Sequence, residues 1–400
     1  MRSTQTFPAD ITTQRLTLFY FLVSFSVERG LFVFFLKENG YTLIEIGLLQ
    51  TAFSVSLFLF ELPSGYLADK FGRVAALAAG GLLATTSLSG QFIFVACLPL
   101  TTVFFITHAL SFSLISGSLS SALHQHLTTL DVLHRYSSHY AALQFAGSLS
   151  LGLAMIAAAP ILSLGGWTAI YVTSVFVTGL SVIVIFPLAR QEASALTAST
   201  HSIKLTIFIK ELVAIAPIAI PFAMIHAAMT PYFLYASSSF HEAGLSKGAA
   251  SAAVGIAEIL SAIAVLCLTR FLPATSKHSI PTLMLLTSVV IAANPLYSPY
   301  VAITAFLIAN TLTLWATILT NNTINSTIKA EHLRTTTLSA AAFVDMLFIS
   351  AGFMTYGFVA ESYSSSISLL AVSIFPLAGA ITLIATTKTI SGRKSSASSS

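Results

Sequence analysis

Long stretches without a charged residue constrain this 400-residue chain more than any other feature. Residues 74–130, 136–189, 212–241 and 278–328 contain no Asp, Glu, Lys or Arg. A helix needs about 20 apolar residues to cross the hydrocarbon core of a bilayer, so three of these stretches are long enough for two crossings each. Charged residues make up 8% of the chain, against about 25% in soluble domains. Lipid must therefore cover most of the surface, which excludes a soluble enzyme and a nucleic-acid-binding protein.

The apolar runs are separated by Pro, Gly and Asn turn signals and predict an all-α integral membrane protein with twelve spans. The predicted spans are 16–36, 46–67, 74–95, 100–122, 138–160, 167–188, 209–236, 246–269, 280–293, 300–322, 336–359 and 364–387. The first is longer than a signal-peptide core and no small-residue cleavage pattern follows it, so we expect it to be retained.

The distribution of basic residues predicts the orientation, because cytoplasmic loops of membrane proteins are enriched in Lys and Arg. The chain has 18 Lys and Arg, and all but Lys37, Lys247 and Arg29 fall in inside segments when the N-terminus is cytoplasmic. We therefore predict a multi-pass membrane protein with both termini in the cytoplasm. Cys97 and Cys267 fall at opposite ends of their spans, which forbids a disulfide between them.

The one extended polar segment between spans lies at the midpoint of the chain. It predicts a cytoplasmic linker between two six-helix bundles, which are weakly repetitive in sequence. The predicted units are a first bundle at 1–188, the linker at 189–208, a second bundle at 209–390 and a disordered tail at 391–400. Parallel duplicated halves with a site between them are typical of transporters.

The loop between spans two and three carries a patterned segment, Gly65-Tyr-Leu-Ala-Asp69-Lys70-Phe-Gly72-Arg73. Gly65 would let a neighbouring helix approach closely, and Gly72 permits a tight turn. Asp69 could cap a helix N-terminus and pair with a basic side chain. The segment resembles the signature loop of the major facilitator superfamily, and the topology resembles that of small bacterial twelve-helix members.

In that family the loop is a gate latch that holds the two halves together on the cytoplasmic side when the cavity opens outward. The resemblance implies that Asp69 and Arg73 are the latch residues, with Lys70 beside them. The segment that begins at Arg334 also resembles such facilitators. We expect the loops around Asp69 and Arg334 to close the inner gate together.

Ionisable side chains inside the spans are candidate functional residues, because a charge at the bilayer centre costs at least about 2.5–3.5 kcal/mol. Glu28 in span one, Glu258 in span eight and Asp345 in span eleven are candidate proton carriers, and each could instead be a structural contact between helices. Arg29 is a candidate anion contact or counter-charge. Adjacent helical residues point about 100° apart, so Arg29 and Glu28 need separate partners.

The resemblance also implies which residues contact a substrate, because spans one, four, seven and ten line the cavity in this family. The candidates on those spans are Arg29, His108, His226, Tyr232, Asn310 and Trp315. The histidines could instead be hydrogen-bonded packing residues, and the aromatic residues could face lipid. A mixed aromatic and polar lining suits an amphiphilic organic molecule.

Together these features predict a secondary transporter that works by alternating access. No phosphate-binding Gly-Lys-Ser/Thr motif occurs, so uphill transport would use an ion gradient, with protons as the expected partner. We expect a monomer that exports a small organic compound such as a drug or a siderophore-like metabolite, without metal, cofactor or catalytic residues. The alternatives are a nutrient importer, a uniporter, a multi-pass membrane enzyme and a transport-dead receptor.

Overall fold

The computed structural model describes residues 10–193, 205–271, 279–293, 298–327 and 334–397. These residues form α-helices joined by short connections, and none of them is in a strand. The helices are α1 (Ile11–Val23), α2 (Phe32–Glu38), α3 (Leu43–Phe71), α4 (Arg73–Ile93), α5 (Leu98–Thr129), α6 (Tyr136–Ala193), α7 (Leu205–Glu242), α8 (Lys247–Phe271), α9 (Ser279–Ala293), α10 (Pro299–Thr327), α11 (Arg334–Ser362) and α12 (Ser365–Ala397).

These helices supply the twelve predicted spans. Helices α1 and α2 together form the first span, and α6 contains the fifth and sixth. The two halves of α6 are joined by a break at Gly165 and Gly166, where Gly166 adopts a φ of 61° that favours glycine. The ninth span is short, as expected, because α9 has 15 residues. The all-α fold with twelve spans predicted from the sequence is confirmed.

The predicted linker and tail differ from the helix boundaries. Helix α6 continues to Ala193 and α7 begins at Leu205, so the predicted linker 189–208 begins and ends inside helices, and 194–204 lie outside the described residues. Helix α12 continues to Ala397, through most of the tail predicted to be disordered. No proline follows Pro376, so nothing in the backbone chemistry stops this helix at Ser391.

Span one was predicted as one continuous helix, and the structure corrects this. Helix α1 ends at Val23, a 3₁₀ turn covers Val27–Gly30, and α2 begins at Phe32, with a bend of 46°. Ser26 adopts an extended backbone conformation, and the Val27 N–H donates to the Ser174 hydroxyl of α6 instead of to its own helix. Glu28 and Arg29 therefore lie on a break in the span and not in the middle of a continuous helix.

The two bundles share an apolar core at one end of the molecule only. We call this end the Glu38 face and the opposite end the Arg73 face. Near the Glu38 face, buried residues of both bundles form one cluster that includes Phe35, Met155, Tyr235 and Phe353. Near the Arg73 face, each remaining cluster of described residues draws its buried members from one bundle. Phe58 of α3 also packs partly buried against the cluster of α7 and α11, with its ring centroid 4.1 Å from that of Phe343. The bundles thus share buried core at the Glu38 face, and nearer the Arg73 face they meet through partly buried side chains.

Glycines permit the close approach of the bundles. Helix α6 meets α8 where Gly152 faces Gly255, and a Cβ on Gly255 would lie 2.9 Å from the Met155 Cβ. Helix α3 meets α11 where a Cβ on Gly47 would lie 2.9 Å from the Phe353 carbonyl oxygen. Real Cβ atoms do not approach that closely, so larger residues would push the bundles apart.

Candidate functional site

A histidine and an aspartate from different helices form an ion pair inside the second bundle. The Nδ1 atom of His226 in α7 lies 2.9 Å from both carboxylate oxygens of Asp345 in α11. The Thr317 hydroxyl of α10 donates its proton to the Thr313 carbonyl. It therefore accepts a hydrogen bond from the Nε2 atom of His226 at 3.1 Å. The His226 and Asp345 side chains are 19% and 16% exposed, so neither is sealed in the core.

The hydrogen bonds of His226 and Asp345 define where the protons of the pair lie. One proton lies between Nδ1 and the carboxylate, and the Nε2 proton is held by Thr317. A further proton on Asp345 while His226 is charged would remove the ion pair and weaken the link between α7 and α11. The sequence indicated His226 and Asp345 as separate candidates, and the structure brings them into contact.

Two other predicted residues, Glu258 and Asn310, also meet. The Asn310 side-chain N–H donates to the Glu258 carboxylate at 2.9 Å. Glu258 is 7% exposed. It lies one turn from Gly255, where α8 of the second bundle packs against α6 of the first.

Glu28 is held at the break in span one. The residue is 6% exposed, and the Oε2 atom of its carboxylate has no hydrogen-bond partner among the described residues. The N–H of its neighbour Val27 donates to the Ser174 hydroxyl of α6. Glu28 thus lies buried where span one packs against α6.

His108 of α5 lies in a polar and aromatic pocket of the first bundle. Its Nδ1 atom is 2.9 Å from the Ser87 hydroxyl, and its ring stacks on Phe112 and lies 5.9 Å from the Phe53 ring centroid. The Gln91 side chain approaches the same Nδ1 atom at 3.5 Å. The His108 ring therefore contacts neighbours of its own bundle in this conformation.

Tyr232 and Trp315 occupy packing positions. Tyr232 is 0% exposed and meets the Phe306 ring edge to face. Trp315 packs partly buried against the apolar cluster of the second bundle that contains Leu319. These two candidates contribute to helix packing in this conformation and do not join the polar groups above.

The patterned loop at the Arg73 face forms a tight turn with an unexpected cap. Gly72 adopts a φ of 103° between α3 and α4. The Glu192 carboxylate at the end of α6 accepts from the backbone N–H groups of Arg73 at 3.0 Å and Val74 at 2.7 Å. Glu192 therefore caps the N-terminus of α4, a role the sequence had suggested for Asp69.

The other loop residues are arranged around this turn. The Arg73 guanidinium donates to the Ser121 carbonyl of α5 at 3.0 Å, and the Lys70 ammonium lies 5.1 Å from the Phe71 ring centroid. A Cβ on Gly65 would meet no described atom within 4 Å, so the close helix approach expected there does not occur in this conformation. The side chains of Asp69 and Arg334 lie outside the described part of the chain.

A contact between the bundles at the Glu38 face was not foreseen from the sequence. Glu38, at the end of α2, forms an ion pair with Lys247 at the start of α8. It also accepts the Trp167 indole N–H at 2.6 Å. Partial burial alone would raise the pKa of Glu38, but hydrogen bonds from Lys247 and Trp167 lower it below its ordinary value. Nearby, the Leu43 N–H donates to Glu361 of α11 at 2.7 Å.

The hydroxyl partners of the ionisable residues were missed in the sequence. Ser87 and Thr317 hydrogen-bond to His108 and His226 from neighbouring helices. Hydroxyl residues are frequent along the whole chain, so no signal marked these two. Among the residues that the structure describes, no group of three or more His, Cys, Asp or Glu side chains could hold a metal ion.

Solved structures with the same fold are known. The chain resembles the crystal structure of the nucleoside transporter NupG with a TM-score of 0.73 and 14% sequence identity, over 95% of this chain and 100% of that one. It resembles the crystal structure of a D-xylose-proton symporter with a TM-score of 0.70 and 14% identity, over 93% and 95% of the two chains. At these identities the resemblance shows a shared fold.

Sequence comparisons identify the family. An uncharacterized MFS-type transporter, YxaM of Bacillus subtilis (strain 168), is 30% identical over 114 residues. That match spans 26% of this chain and 28% of the length of the relative. The sequence profile described as Major Facilitator Superfamily matches residues 16–353. The chain therefore belongs to the major facilitator superfamily.

Proposed function

We propose that this protein is a secondary transporter that moves a small organic compound across a bacterial inner membrane by alternating access of its two bundles. The observation that carries the proposal is the unequal contact between the bundles. They share one apolar core at the Glu38 face and keep separate cores at the Arg73 face. Such an arrangement gives access to the centre from one side, and a rocking motion would exchange the sides.

The orientation follows from the basic residues. The enrichment of basic residues, Arg73 among them, supports a cytoplasmic position for the Arg73 face. The open space at Gly65, where a Cβ would meet no described atom within 4 Å, supports a latch that is not closed on this part of α3. Both bundles belong to one chain, so a monomer is a sufficient transport unit.

Protons are the proposed energy source, and the His226–Asp345 pair is the proposed carrier. The pair links α7, α10 and α11 and is partly exposed. Protonation of Asp345 would remove the ion pair, which changes the preferred packing of these helices. Proton loading and bundle motion are thereby coupled through one contact.

Export is the direction proposed from the aromatic and apolar character of the site. Import is the second candidate, because the fold is shared with a nucleoside transporter and a D-xylose-proton symporter. Under either direction the transported compound is a small organic molecule. The direction in which solute moves in an imposed pH gradient distinguishes export from import.

The experiment uses purified protein in liposomes with an imposed pH gradient and radiolabelled uridine, D-xylose, benzoate and ethidium as test solutes. We expect at least one solute to accumulate or be expelled in response to the gradient. Asp345→Asn should abolish the gradient-driven flux while solute exchange without a gradient persists. Gradient-driven flux that is unchanged in Asp345→Asn would refute the proposed coupling, and no flux of any solute would refute transport.

A further inference from the structure

A cavity of about 270 Å³ lies between the two bundles at the Glu38 face. Side chains of α2 line it from the first bundle, and side chains at the end of α7 and the start of α8 line it from the second. Because both bundles form its wall, the cavity exists only while they are in contact at this face. Neither His226 nor Asp345 is among its lining residues.

An aromatic ring and its neighbours form the fixed part of the wall. The Lys247 ammonium pairs with Glu38 and lies 5.7 Å from the centroid of the Phe34 ring. The His241 ring meets the Phe34 ring edge to face at a centroid distance of 5.3 Å. Its Nδ1 atom donates to the Leu245 carbonyl at 2.6 Å. These groups satisfy one another and leave an aromatic surface facing the cavity.

Three polar groups of the lining keep unused hydrogen-bonding capacity. Ser238 is 6% exposed, and its hydroxyl forms no hydrogen bond with any part of the chain that the structure describes. The Lys37 ammonium has neither an ion pair nor a hydrogen bond with a described residue. Ser365 donates to Oε1 of Glu242 at 3.0 Å, whereas Oε2 accepts from no described donor. Burial of a hydroxyl without a partner is costly, so a molecule in the cavity would gain by hydrogen-bonding to Ser238.

The charges of the lining select the kind of ligand. Two lysines and two glutamates line the cavity, and the pair between Glu38 and Lys247 neutralises one of each. The charges that remain are the Lys37 cation of the first bundle and the Glu242 carboxylate of the second. An anion or a cation would match one of them and leave the other unpaired, whereas a zwitterion matches both.

The size of the cavity limits the ligand further. Sites for drug-sized ligands have volumes of about 300–1,000 Å³, and this cavity has about 270 Å³. The Phe34 ring offers an apolar contact beside the two charges. A small molecule with one carboxylate, one ammonium group and a short apolar chain fits these features.

We infer that this cavity is a regulatory site for an amino-acid zwitterion with an apolar side chain, an inference that builds on the proposed alternating access. The carboxylate of the ligand binds Lys37 and accepts a hydrogen bond from Ser238, and its ammonium group binds Glu242. Its side chain packs on the Phe34 ring. Because the ligand bridges the bundles, it binds the conformation that is closed at the Glu38 face and increases its population.

Binding to the purified full-length protein tests this inference without a gradient. The probes are L-leucine, L-leucinamide and isocaproate, which share one apolar body and carry both charges, only the ammonium group and only the carboxylate. The readout is the rise in melting temperature with probe concentration. The variants are Lys37→Met in the first bundle and Glu242→Gln in the second. Glu45→Gln is the matched control, because Glu45 lies outside the cavity and glutamine preserves its capping box with Thr42.

We expect L-leucine to stabilise the wild type and Glu45→Gln, with an affinity at least about tenfold higher than that of either single-charge probe. Lys37→Met should bind L-leucine no more tightly than it binds L-leucinamide, because the partner of the carboxylate is gone. Glu242→Gln should bind L-leucine no more tightly than isocaproate. Dependence on both variants would show that the ligand bridges the two bundles.

Three results would overturn the inference. They are equal stabilisation by the three probes, wild-type affinity for L-leucine in either variant, and the absence of stabilisation by L-leucine. A preference for L-leucinamide or isocaproate would also overturn it, in favour of a cationic or an anionic ligand. Binding of L-leucine that requires both Lys37 and Glu242, without flux of any solute in liposomes, would instead refute the proposed transport function, so the two failures are distinguishable.

Discussion

Glu38 and Lys247 form an ion pair that joins the end of α2 in the first bundle to the start of α8 in the second. The same carboxylate accepts the Trp167 indole N–H. One acid at the surface therefore contributes to closure of the Glu38 face. Exposed ion pairs contribute about 0.2–1 kcal/mol, so this contact biases the equilibrium between conformations without locking it.

The first prediction concerns this pair. Glu38→Gln should increase the population of molecules open at the Glu38 face by up to about fivefold, because the ion pair is lost. Spin labels on Asn39 and Ser362, which are exposed on different bundles, would report longer distances. The labels require that the exposed thiols of Cys97 and Cys267 are first replaced by serine.

The Glu38–Lys247 ion pair should be lost only at acidic pH. Hydrogen bonds from Lys247 and Trp167 outweigh burial and lower the pKa of Glu38. The contribution of the pair is therefore present above the ordinary glutamate value of about 4.3 and is lost as the pH falls through the lowered pKa. We expect unchanged label distances from pH 8 to 5. The control Lys37→Gln should behave as the wild type, and opening already at pH 6 would contradict the assignment.

The second prediction compares substitutions at Gly72, in the turn between α3 and α4, and at Gly65, in α3. Gly72→Ala should lower the stability by about 1–2 kcal/mol, since a left-handed φ strains an L-residue and the new Cβ would lie 2.6 Å from Glu192 Oε2. Gly65 is in the interior of α3 with open space around it. Gly65→Ala should therefore leave the stability unchanged or raise it. Thermal unfolding in detergent measures both, and equal effects of the two substitutions would disprove the argument.

The spans could be predicted because their physical signal is strong. Uncharged stretches such as 74–130 leave no alternative to lipid contact, and the turn signal at Gly165 and Gly166 falls where α6 is broken. The break at Val27–Gly30 could not be predicted, because Ser174 of a distant helix supplies the hydrogen bond that stabilises it. Local periodicity does not contain that contact.

The candidate site was predictable as a set of residues but not as a set of contacts. The cost of a buried charge singled out Glu28, Glu258 and Asp345 from the sequence. Which partner each acid has depends on the packing of helices that are far apart in the chain, as for Asp345 with His226, 119 residues apart. The Glu38–Lys247 pair was missed because exposed charges at span ends are ordinary in sequence.

The third prediction concerns the glycine contact between α6 and α8. Gly255→Ala places a Cβ 2.9 Å from the Met155 Cβ, so α8 must move away from α6. We expect the Glu38 face to open and Ser251→Cys, at a fully buried position, to become reactive to a membrane-impermeant maleimide. Gly179→Ala is the control, because its nearest atom would be Thr85 Cγ2 at 3.9 Å. An unreactive thiol in the Gly255→Ala background would show that the helices tolerate the methyl group.

The fourth prediction separates a structural acid from a proton carrier. Glu258 is nearly enclosed and accepts a hydrogen bond from Asn310 of its own bundle, whereas Asp345 is partly exposed and paired with His226. Glu258→Gln preserves size and hydrogen-bonding capacity, so gradient-driven flux in liposomes should persist. Asn310→Ala removes the donor to Glu258 and should change stability without changing the proton requirement. If Glu258→Gln lost gradient-driven flux but retained solute exchange, Glu258 and not Asp345 would be the proton carrier.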